Sequence, residues 1–73
     1  MRKQNAKKLR NTKFLFLVDS FDTENPGIEV KKGSKLYGTL FDDGYAKFNI
    51  KGATAYIQMM GKDGIKNFKP ISL

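Results

Sequence analysis

Between residues 35 and 60 apolar and polar side chains alternate with a period of two, interrupted at two glycine-containing points. Successive side chains of a strand point to opposite faces, so this period predicts β-strands. It excludes an amphipathic helix, whose apolar positions recur every three to four residues. Residues 35–41 set Leu36, Gly38 and Leu40 against Tyr37, Thr39 and Phe41. Residues 45–51 set Ala46, Phe48 and Ile50 against Tyr45, Lys47, Asn49 and Lys51. Residues 54–60 set Ala55, Ile57 and Met59 against Thr54, Tyr56, Gln58 and Met60.

The connections agree with these faces, because residues paired across a hairpin must point the same way. A three-residue loop, Asp42-Asp43-Gly44, pairs Phe41 with Tyr45 and Leu40 with Ala46. Gly44 suits the left-handed position that such loops need. A two-residue loop, Gly52-Ala53, pairs Lys51 with Thr54 and Ile50 with Ala55. Glycine at its first central position suits a type II′ turn. The expected unit is a three-stranded meander with Leu36, Leu40, Ala46, Phe48, Ala55 and Ile57 on its core side.

The flanks extend the β reading. Residues 13–19 form a buried strand, and residues 20–27 a polar loop closed by the turn signal Asn25-Pro26-Gly27. Residues 28–30 are a short extended piece, 31–34 and 61–64 are turns, and 65–68 are a short strand or a single helical turn. Residues 70–73 suit a final edge strand, where Pro70 removes no central ladder bond. Ahead of all this, residues 1–12 hold only Met1, Ala6 and Leu9 as apolar positions, too few for a core-facing stripe. They are expected to be a disordered basic tail, leaving residues 13–73 as a single domain.

Seventy-three residues suffice for one domain. The chain has no cysteine and no histidine. That excludes a disulfide framework, thiolate or imidazole metal sites, and Ser-His or Cys-His catalytic pairs. No cofactor, small-molecule substrate or enzymatic activity is expected. The apolar run at residues 14–18 falls short of the ~7–15 residues of a signal peptide and of the ~20 of a membrane span. Cytoplasmic residence is expected.

The net charge of +7 is unevenly spread. Arg2, Lys3, Lys7, Lys8, Arg10 and Lys13 give +6 with no acid among them, and the other eight lysines and seven acids leave +1 for residues 14–73. Clustered cations neutralise phosphates and make binding salt-dependent. On the predicted outer face of the meander, Tyr37, Phe41, Tyr45 and Tyr56 are interleaved with Lys35, Lys47 and Lys51. Aromatic rings beside cations can stack bases and hold phosphates. The same rings would equally serve a protein interface, or pack beneath the loop at residues 20–30. Membrane contact is not expected, because no large apolar cluster accompanies the charge. The acids Asp19, Asp22, Glu24 and Glu29 read as a solvated loop.

Strand, long polar loop, meander, turn and last strand is the order of SH3-like barrels. Lys32-Gly33-Ser34-Lys35-Leu36, Tyr45-Ala46-Lys47-Phe48-Asn49-Ile50 and Gly52-Ala53-Thr54-Ala55-Tyr56-Ile57 resemble the bacterial SH3 family over about residues 31–60. That family tends to place a glycine before its second strand and an aromatic at the start of its third. A glycine turn then precedes an aromatic-aliphatic fourth strand. A weaker likeness to Sm-like barrels lies at residues 33–40. The resemblance implies an all-β, five-stranded SH3-like barrel.

Two functions stand open. One is a non-enzymatic module binding DNA or RNA through Arg2, Lys3, Lys7, Lys8 and Arg10 together with Tyr37, Phe41, Tyr45, Lys47, Lys51 and Tyr56. The other uses the exposed aromatics beside the acidic loop as a protein-interaction module. Such a module would regulate or inhibit a larger complex, as small phage or mobile-element proteins do.

Overall fold

A computed structural model of the chain describes residues 6–61 and 63–71, and four phenylalanines fix its centre. The Phe14 ring meets Phe48 edge-on at 5.1 Å and Phe68 at 4.8 Å, and Phe16 meets Phe48 at 5.3 Å. Val30, Leu40, Ala46, Ile57 and Met59 complete the buried cluster, with Leu36, Ile50 and Met60 packed against it. Edge-on and tilted contacts of this kind add to what burial alone contributes.

Seven antiparallel strands carry these residues: β1 (Lys8–Phe16), β2 (Ser20–Phe21), β3 (Glu29–Val30), β4 (Lys35–Phe41), β5 (Tyr45–Ile50), β6 (Ala53–Gln58) and β7 (Phe68–Ile71). Five form one sheet in the order β6-β5-β4-β1-β7, and β2 pairs with β3 in a separate ribbon. No helix occurs among the described residues, hence none able to cross a membrane. The chain after β6 is bonded to the chain before β7: Met60 bridges Lys66, and the Asn67 amide donates to the Met59 carbonyl at 2.7 Å. The two ends of the five-strand order are thereby linked. On the other flank Asp22 bridges Ile57, and the Thr23 amide donates to the Tyr56 carbonyl at 3.1 Å. This ties the β2–β3 ribbon to β6.

The core face is the expected one. Gly38, Leu40, Ala46, Phe48, Ala55, Ile57 and Met59 are all buried. Leu40 pairs with Ala46, as the three-residue loop requires, and Gly44 has φ of 85°. The turn at Asn25-Pro26-Gly27 closes with the Ile28 amide donating to the Asn25 carbonyl at 2.9 Å.

The strand expected over residues 13–19 ends at Phe16, leaving Leu17, Val18 and Asp19 exposed, and two further expectations are corrected. The first is the tail. Residues 8–12 are not disordered; they are the first half of β1, pairing Lys8 with Phe41, Arg10 with Leu40, Asn11 with Thr39 and Thr12 with Gly38. A β4 of seven residues has main-chain groups to satisfy along its whole length, and a polar segment can do that as well as an apolar one. Residues 1–5 lie outside the described residues.

The second is the β5–β6 turn. Ile50 pairs with Ala53, so the central residues are Lys51 and Gly52, with φ of 52° and 81°. Positive φ at both positions is the type I′ turn, whose twist matches its flanking strands. Pairing therefore moves by two residues, which leaves every side chain on its expected face but sets Tyr56 opposite Lys47 and Thr54 opposite Asn49.

Candidate functional site

The outer face of the five-stranded sheet follows from register alone, since directly paired residues share a face. One row across the sheet reads Tyr56, Lys47, Thr39, Asn11. The next reads Tyr37, Lys13, Ile71, and a third Lys35, Leu15, Lys69. Cross-strand neighbours sit about 5 Å apart and rows about 7 Å apart. Lys8, Lys13, Lys35, Lys47 and Lys69 thus share this face, and none of its paired positions is an acid. Within it, the Thr39 hydroxyl donates to Asn11 Oδ1 at 2.6 Å, holding β1 to β4.

The expected aromatics separate into different environments. Tyr37 is 55% exposed. Phe41 and Tyr56 are half-buried and lean together across β5, with ring centroids 6.5 Å apart. Tyr45 is only 6% exposed, so its reading as an outer-face contact residue is corrected. It lies outside the phenylalanine cluster and lines a cavity of about 480 Å³ with Leu9, Phe41, Gln58 and Met60. Lys51 is also displaced from the face: it stands at the turn tip and lines a separate cavity with Ile28 and Glu29.

The basic N-terminal residues divide similarly. Arg2 and Lys3 lie outside the described residues. Lys7 is tied through its main chain, its amide donating to Asp42 Oδ1 at 3.0 Å and its carbonyl accepting from the Asp42 amide at 2.9 Å. Lys8 joins the outer face opposite Phe41, whereas Arg10, paired with Leu40, has the opposite parity and is exposed. Lys13 entered the sequence pattern only as part of the N-terminal charge, and Lys69 not at all. Their place beside Tyr37 and Lys35 comes from long-range pairing of β1 with β4 and β7.

The acids work largely as loop staples. Asp19 Oδ1 accepts from the Lys32 amide at 2.8 Å, and Asp22 Oδ1 from the Tyr56 amide at 3.3 Å. Glu29 pairs with Lys31 at 3.1 Å, which raises the Lys31 ammonium pKa above its ordinary value. Among the described residues no three potential ligands are placed to hold a metal ion. Beside these acids Leu17, Val18 and Phe21 are exposed, Phe21 at 51%.

No protein-family model matches the chain, and neither a curated protein nor a solved structure matches it.

Proposed function

We propose that the chain is a non-enzymatic binding module of SH3-like barrel type whose outer sheet face takes nucleic acid. The strand order β6-β5-β4-β1-β7, with the β2–β3 ribbon inserted between β1 and β4, supports the barrel reading. The observation that carries the function is the acid-free face that holds five lysines, of which Lys13, Lys35 and Lys47 neighbour Tyr37. Lysines so arranged neutralise phosphates without an internal carboxylate competing for them. The test is fluorescence anisotropy of labelled DNA and RNA against the full chain over a salt series. Binding at micromolar protein that weakens steeply with salt is expected, and a salt-insensitive or absent signal refutes the reading.

A second reading draws on a different surface of the molecule, around β2. Leu17, Val18 and Phe21 are exposed, and Val18 and Phe21 line a cavity of about 420 Å³ together with Asp19 and Asp22. Apolar side chains rimmed by acids suit a basic, aliphatic segment of a protein partner. Under this reading Phe21→Ser abolishes capture of that partner while nucleic-acid binding is unchanged.

A further inference from the structure

Resting on the nucleic-acid reading of the outer face, we infer that the face selects single strands, with Tyr37 as the platform for one unstacked base. Tyr37 is the outer-face aromatic most open to solvent, since Tyr45 is buried and Phe41 and Tyr56 are half-buried against each other. Its surroundings are those of a stacking subsite. Lys13 lies directly across on β1, and Lys35 and Thr39 are its same-face neighbours along β4. Lys47, paired with Thr39, sits diagonally on β5. One ring is therefore flanked by a cation on each adjacent strand. A polynucleotide crossing the sheet can lay a base on Tyr37 while the phosphates on either side meet Lys13 and Lys47.

A duplex cannot use this arrangement. Its bases are already stacked on one another, so an exposed ring between lysines gains nothing that the lysines alone would not supply. The predicted ligand class is single-stranded polynucleotide, DNA and RNA both, because stacking needs only a base face and the cations only a phosphate.

The experiment measures affinities of the full chain for labelled single-stranded DNA, single-stranded RNA and a duplex of equal length, with Tyr37→Ala, Tyr37→Phe and Lys47→Gln alongside. Both single strands are expected to bind more tightly than the duplex. Tyr37→Ala should weaken single-strand binding about tenfold, within the range seen for removing one stacking ring, and change duplex binding less than about twofold. Tyr37→Phe should restore it, since phenylalanine keeps the ring. Lys47→Gln should weaken all three ligands and lower the salt slope by about one. If nothing binds, the nucleic-acid reading itself falls. If all three ligands bind alike, or Tyr37→Ala weakens them equally or not at all, that reading stands and the single-strand inference is wrong. Tyr37 is exposed, so its variants keep the fold, which circular dichroism verifies.

Discussion

Three residues show where this small fold is tightly fitted and where it is strained. Gly38 lies on the core face of β4, where an added Cβ would stand 2.6 Å from the Lys47 carbonyl oxygen and from two ring atoms of Phe48. The glycine is needed for close approach and not for its φ. Gly38→Ala should therefore cost about 1–3 kcal/mol through overpacking, read as a lower urea midpoint at an unchanged slope. At Lys51 the reverse holds. A lysine with φ of 52° occupies a turn position that favours asparagine. Lys51→Asn should raise stability by about 0.5–1 kcal/mol, a fraction of the usual left-handed penalty. An unchanged midpoint would show that the turn carries no such strain. Phe14→Ala removes a ring that touches both Phe48 and Phe68. At about 3–5 kcal/mol it should leave a domain of this size largely unfolded.

At the scale of elements, what the sequence reveals depends on whether a strand has a dry side. The meander was legible because Leu40, Phe48 and Ile57 alternate with polar residues against a buried face. Lys8–Asn11 was not, because those four residues are exposed on both faces and have no apolar period to display. The Lys51-Gly52 turn escaped for another reason. A pairing shift of two residues preserves every face, so alternation cannot distinguish it from Gly52-Ala53. The site was half legible for the same cause. Tyr37 and Lys47 lie on strands adjacent in sequence, whereas Lys13 and Lys69 reach the face through pairings between distant segments. The first half of β1 also makes a prediction that a disordered tail would not. Deleting residues 1–12 strips the partners from Gly38, Thr39, Leu40 and Phe41 and removes the Asn11–Thr39 hydrogen bond. Stability should fall by several kcal/mol, and the amides of β4 should lose hydrogen-exchange protection. A true tail could be removed at no cost.

For the whole molecule, charge and fold are coupled through where the lysines stand. The unfolded chain carries the same +7 as the folded one, so attraction to polyanions does not by itself favour folding. A ligand stabilises the native state only by the excess of its affinity for that state over the unfolded one. An acid-free face with lysines in register supplies such an excess, because the fold concentrates cations that an unfolded chain disperses among its acids. A single-stranded oligonucleotide at about a hundred times its dissociation constant should contribute up to ~2.7 kcal/mol. In a domain of this length ~1 kcal/mol moves the midpoint by roughly 4–8 °C, so a rise on the order of 10 °C is expected at low salt. Thermal denaturation followed by circular dichroism, with and without oligonucleotide, measures it. The rise should shrink as salt is added, since the phosphate contacts behind it are screened and their counterions return. It should also shrink in Tyr37→Ala, which leaves every charge in place. Tight binding with no rise in midpoint would mean that folded and unfolded chains bind alike, and that the ordered face of β1, β4 and β5 plays no part in recognition.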